Sequence, residues 1–266
     1  MSEPESGGRK AANGRQRGTA AQARAAAERA GVGLRAVVLT VALAGLAFGS
    51  VRFVAAVQLA PYASVARELP DGGQVEPTRL DRAVDAYAGV AGWYGHPRQW
   101  RTLGQLTYGR ALRAAPTGSA RADDLDAAIA AHRRALAKAP LHGPSWVRLS
   151  AALLRRSGPT ETFFTAFRRA HQVWPNVQTL MATRAAIALR IWPLLPDDQR
   201  ATSRRHLAVL ARAAPRLLAG ELAAGSAQRR LALDLLTGDP LARCRLAAAF
   251  QRRSAEGCVG PSTPAS

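Results

Sequence analysis

Cysteine, lysine, aromatic residues and acidic residues are all scarce in this 266-residue chain. Two cysteines, Cys244 and Cys258, are too few for a disulfide scaffold and lack metal-ligand spacing. They fit either one bridge, in a domain outside the cytosol, or two unrelated thiols. Aromatics make up 6% of residues although 48% are hydrophobic, so alanine and leucine carry the apolar content. Both favour helix, alanine because it has no side-chain entropy to lose and leucine because it loses little. Alternating runs rich in Val, Ile and Thr are few, which excludes an extensive sheet. The expected fold class is all-α.

Catalytic signatures are missing as well. There is no G-x-S-x-G, P-loop, G-x-G-x-x-G or C-x-x-C. The five histidines, His96, His132, His142, His171 and His206, form no close sequence pair and have no acidic partner at ligand spacing. Asp123, Asp124 and Asp126 cluster where a helix is expected to start, and there they complement the helix dipole. No catalytic, cofactor-binding or metal-ligating residue is expected, and the role reads as non-enzymatic.

What is abundant is arginine. Lys and Arg total 37 against 18 acidic residues, a net charge of +19, and only Lys10 and Lys138 are lysine. Such a balance fits affinity for polyanions. It equally fits a GC-rich coding bias that writes arginine on solvated helix faces.

One long apolar run stands out. Residues 36–51 carry no charge, Arg52 interrupts, and apolar residues resume at Phe53. Extended from Leu34 to Val57, the segment reaches the roughly 20 residues that a bilayer span needs, with Arg52 snorkelling to the headgroups. Seven basic residues precede the uncharged run that begins at residue 36, whereas between Phe53 and Thr78 there is only Arg67. The charge bias predicts a single-pass, uncleaved anchor in the inner membrane, with a cytoplasmic N-terminus and a periplasmic C-terminal domain. The expected organisation is a disordered basic tail over 1–33, a membrane helix over 34–57, a linker over 58–77, a helical domain over 78–253 and a loose tail over 254–266.

Within the domain, helices are punctuated by Pro and Gly. Thr78 is the expected cap of a first helix whose apolar face carries Leu80, Val84, Tyr87, Ala91 and Tyr94. Residues 95–97 and 115–118 read as breaks, and Asp123 or Asp124 as the start of the next helix. Leu180, Arg184, Ile187 and Ile191 share a later helical face. The best-patterned stretch runs from Gly143 to Pro175. It places Trp146, Leu149, the small Ser150, Phe163, Phe167, Ala170 and Pro175 in the order of a helix–turn–helix repeat of about 34 residues. Trp100, Leu103 and Gly104 begin an earlier unit, but Trp100 and Trp146 are 46 residues apart, so the period is irregular.

On these residues the chain resembles the tetratricopeptide repeat (TPR) family. Ser150 stands where the family prefers glycine and Leu153 where it prefers tyrosine. The resemblance implies a TPR-like solenoid of helical hairpins that binds a protein partner on its concave surface. In repeat register Arg133-Arg134 and Arg168-Arg169 occupy the same two positions of successive units. They form a candidate basic face for an anionic glycan, lipid surface or acidic protein, or the solvated outside of the helices. Nucleic acid is disfavoured by the expected compartment. The layout of tail, anchor and divergent repeat domain is also similar to accessory proteins of bacterial extracellular polysaccharide clusters, and to periplasmic repeat proteins of cytochrome maturation and cell division. The expected role is a membrane-anchored scaffold in an envelope assembly, in polysaccharide synthesis or export. The alternative is a basic module that binds an anionic polymer or lipid surface directly.

Overall fold

Alanine, leucine and arginine fill the segments between prolines, and these segments fold as helices. The computed structural model describes residues 35, 37–69, 75–115, 118–222, 226–252 and 258, and no strand occurs among them. The basic tail over 1–33, Leu34, the turn at 70–73 and all of the 254–266 tail except Cys258 lie outside the described residues.

The chain divides into two units, Met1–Gln58 and Leu59–Ser266. The first holds most of α1 (residues 37–59). The helical run Val37–Glu68 is the one stretch among the described residues that is long and apolar enough to cross a membrane. From Val37 to Val57 its large side chains, among them Leu46, Phe48 and Phe53, are exposed, so no protein core accounts for their apolarity.

The second unit contains α2 (Ala63–Glu68), α3 (Pro77–Tyr94), α4 (Pro97–Arg113), α5 (Ser119–Lys138), α6 (Gly143–Ser157), α7 (Glu161–Gln172), α8 (Gln178–Arg190), α9 (Asp197–Ala213), α10 (Pro215–Glu221), α11 (Ala227–Leu235) and α12 (Pro240–Phe250). Prolines mark the helix boundaries by opening the following helix. Pro97, Pro144, Pro215 and Pro240 sit in first turns, where a missing N–H costs nothing. The cap of α3 is Glu76, not Thr78. Its carboxylate accepts from the N–H groups of Thr78 at 2.9 Å and Arg79 at 2.8 Å. Helix α5 starts at Ser119, four residues before Asp123, so the aspartates there do not cap it.

The expected linker over 58–77 is helical from its start to Glu68. A 3-10 turn at Ala60–Tyr62 leads into α2. Val65 is fully buried, the Ala66 carbonyl accepts from Gln105 Nε2 at 3.0 Å, and a β-carbon at Gly109 would collide with Leu69. This segment therefore packs on α4 as part of the domain. Its three-dimensional partner, not its own pattern, makes it structural.

From α3 to α7 each helix packs on the next in sequence. In addition α6 touches both α4 and α8, so the three form a row, while α5 and α7 flank α6 on its other side. After α8 the order changes. Helices α9, α10 and α11 all pack on α8, and α12 closes over α9 and α10. Two apolar clusters result. One includes Leu149, Phe163, Phe167, Ile187 and Ile191, and the other Met181, Leu189, Leu207, Leu218 and Leu246. Helix α8 contributes to both, so its apolar residues are not confined to one stripe. The C-terminal end is stapled by a disulfide between Cys244 and Cys258, whose Cα atoms are 5.8 Å apart.

One charged residue of α8, Arg184, is completely buried. Its guanidinium donates to the carbonyl of Ala170 at the end of α7, to Trp174 O at 3.4 Å and to Pro175 O at 2.8 Å. A helix end leaves carbonyls without intrahelical partners, and one planar fork here serves three of them across a turn. Arg184→Met should lower the folding free energy by about 3 kcal/mol, because it strands buried carbonyls. A urea melt of the full chain in detergent checks this. Arg184→Lys should recover little, since an ammonium cannot reach three acceptors in that geometry.

Candidate functional site

The residues of the Gly143–Pro175 pattern assemble as packing. Phe163 and Phe167 are fully buried, with rings stacked 5.4 Å apart, and Phe167 meets His171 edge-on at 4.6 Å. Leu149 and Ala170 join the same cluster, and Ser150 is buried with its hydroxyl on the Val147 carbonyl at 2.7 Å. Pro175 is exposed and acts through the carbonyl held by Arg184. In the earlier unit Leu103 and Gly104 are buried. A β-carbon on Gly104 would lie 2.9 Å from the His132 ring, so glycine is required there to admit an imidazole.

Trp146 has a second surface. Its indole N–H donates to the Pro140 carbonyl at 2.8 Å, which fixes the ring. Together with Leu149 and Leu153 it floors a groove of about 540 Å³ between α5 and α7. Leu136 and Ala137 line one wall, Thr162, Thr165 and Ala166 the other, and Arg133 and Glu161 supply opposite charges. An apolar floor with a few polar groups around it suits an apolar side chain or a short amphipathic segment better than a reacting substrate.

The four arginines of the candidate basic face do not form one uniform stripe. Arg133 lines the groove, whereas the Arg134 guanidinium lies 4.7 Å above the Trp100 ring. Arg168 is 3.9 Å from Asp198, and Arg169 donates to Gln172 at 3.2 Å. All four are exposed, but long side chains at equivalent positions reach different local partners.

The aspartates near the start of α5 are held by arginine. Asp124 accepts from Arg110 through Nε and Nη2, and Asp81 is 3.3 Å from the same guanidinium. Asp126 pairs with Arg156 at 2.9 Å. Histidines unpaired in sequence do meet in space, since the His171 and His206 rings lie 5.1 Å apart. The positive charge of Arg184 bears on both, which disfavours a cation between them. No group of three or more His, Cys, Asp or Glu residues is placed to hold a metal among the described residues.

The chain matches no protein family, no curated protein and no solved structure.

His132 is fully buried, and neither ring nitrogen has a hydrogen-bond partner. Burial, reinforced by the charge of Arg148, lowers its pKa to about 3. His171 is lowered to about 3 chiefly by burial, and His206 and His142 to about 4. Between these values and the ordinary histidine value near 6.5 the unfolded chain binds more protons, so stability is full above about pH 6.5 and falls as the pH drops. Going from pH 7 to pH 5, where most carboxylates remain ionised, His132 alone should cost on the order of 2 kcal/mol. Thermal melts across that range should show a smaller loss in His132→Leu than in the unaltered chain.

Proposed function

We propose that the chain is a non-enzymatic, membrane-anchored TPR-like scaffold that holds a protein partner in a bacterial envelope assembly, one for polysaccharide synthesis or export. The observation that carries this reading is the groove over Trp146. It is apolar, open and bounded by two helices that stand apart, and its charged groups, Arg133 and Glu161, converge on no reacting centre. The solenoid reading draws on the alternation of helices, with α4, α6 and α8 in contact and α5 and α7 flanking the groove. It applies to α3–α8, since α9–α12 close as a small bundle against α8.

The anchor is the part of the run Val37–Glu68 that precedes the segment packed on α4, and the excess of basic residues before it argues for a cytoplasmic N-terminus. The Cys244–Cys258 bridge fits a domain outside the reducing cytosol.

Two experiments test the proposal. A fusion after Ser266 to an enzyme active only outside the cytoplasm should be active, and activity of a cytoplasm-only reporter there would overturn the orientation. A photo-crosslinking side chain at Thr165, in the groove, should give a discrete protein adduct in native membranes. The same group at the exposed Val209 on α9 should not. Trp146→Ala should reduce the Thr165 adduct by about tenfold, as expected for loss of an aromatic anchor.

A further inference from the structure

Charge in the folded domain is segregated by helix. The carboxylates that form ion pairs, Asp81, Asp124, Asp126, Asp197, Asp198 and Asp239, lie on α3, α5 and α9 or at the start of α12. Helices α4, α6 and α8, the row that packs side by side, contain no aspartate or glutamate. They carry Arg98, Arg101, Arg148, Arg155 and Arg190, and none of these five has an ion pair among the described residues.

Geometry brings these arginines onto one face. Arg101 and Tyr108 are seven positions apart on α4, as are Arg148 and Arg155 on α6, so each pair marks one helical stripe. Arg155 Nε donates to the Tyr108 hydroxyl at 3.0 Å and thereby sets the two stripes side by side. Arg98 lies one turn before Arg101. Arg190, on α8, lies within electrostatic reach of Arg155. Arg148 and Trp146 are two residues apart on α6, about 200° around the helix, so this face and the groove are separate.

Arg101 and Arg148 are half-buried and near enough to repel. Burial, and then Arg101, lowers the pKa of Arg148 to about 10. His142 lies under the same two charges, with Nδ1 2.9 Å from the Ser145 hydroxyl. Its ring packs 5.7 Å from that of Trp174, which is 47% exposed. Trp174 has φ 57°, a left-handed conformation uncommon for a residue other than glycine, and its Cβ is seated against Gly143. Recessed guanidiniums with no carboxylate paired to them among the described residues stand beside a fixed and exposed indole.

We propose that the α4–α6–α8 face binds an acidic polysaccharide, with Arg98, Arg101 and Arg148 receiving its carboxylates and Trp174 stacking on a sugar ring. This goes beyond the scaffold role, which uses the opposite face of α6. A flat bilayer would reach exposed arginines before recessed ones, so a threadlike polymer fits better than a lipid surface. An acidic peptide would satisfy the guanidiniums equally, and the indole platform is what favours a sugar.

The test is binding of polygalacturonate oligomers to the full chain in detergent micelles, beside neutral dextran, polyglutamate and phosphatidylglycerol vesicles. Polygalacturonate should bind, dextran should not, and affinity should fall steeply with salt. Arg101→Gln with Arg148→Gln should weaken binding at least about tenfold, given the strength of charge-assisted hydrogen bonds. Trp174→Ala should weaken polygalacturonate binding and leave any polyglutamate binding unchanged. Arg168→Gln with Arg169→Gln should bind as the unaltered chain does. Because Arg148 is repelled by Arg101, Arg148→Gln should leave the melting temperature equal or higher. Should the double variant unfold, Arg98→Gln on the exposed rim replaces it and should still weaken binding. Polygalacturonate binding unaffected by the arginine changes would overturn the proposal. So would equal binding of polyglutamate with no effect of Trp174→Ala, or binding to the vesicles alone.

Discussion

The fold from α7 onward depends on one buried guanidinium. Arg184 sits in the middle of the most enclosed helix, where a charge is costly unless its donors are satisfied. It is tolerated because the end of α7 and the turn after it offer Nη1 and Nη2 three carbonyls that have no helical partner, although Nε is left without one. The exchange is mutual. The turn becomes rigid, Trp174 is held in its left-handed conformation, and α8 is fixed in register against α7. Since α8 contributes apolar side chains to both clusters, that register sets the position of everything packed on it, from Phe163 and Phe167 on one side to Leu207, Leu218 and Leu246 on the other.

Helix α6 shows how one element serves two surfaces. Trp146, Leu149 and Leu153 face the groove between α5 and α7, and Arg148 and Arg155 face the row formed with α4 and α8. A helix of 3.6 residues per turn separates these sets without any conflict in packing. The protein-docking reading and the acidic-polymer reading therefore call on different side chains. A scaffold that gathers a protein and a polymer product could use both together.

Some of this was legible in the residues themselves. The apolar run after the basic tail, the helical character of the domain and the large–small alternation from Gly143 to Pro175 all follow from local composition and period. Arg184 was legible in part, because it falls in phase with Leu180, Ile187 and Ile191, a polar residue on a face that has to be buried. Other features were not. Glu76 and Thr78 are both good cap residues, and only backbone geometry chose between them. Pro97 could end one helix or open the next. The α2 segment has too few residues to announce itself and is structural because Gln105 and Gly109 receive it.

By itself, the sequence determined what short-range physics controls: all-helical structure, a helix apolar enough to cross a membrane, and the identity of the packing residues in the best-patterned hairpin. Only the tertiary structure decided which distant residues meet. His132 lies on Gly104, His171 beside His206, Asp124 against Arg110, and Arg101 near Arg148. The reason is that helical periodicity fixes which face a residue occupies on its own helix. The neighbour of that face is set by how the helices pack, and here the packing order changes at α8.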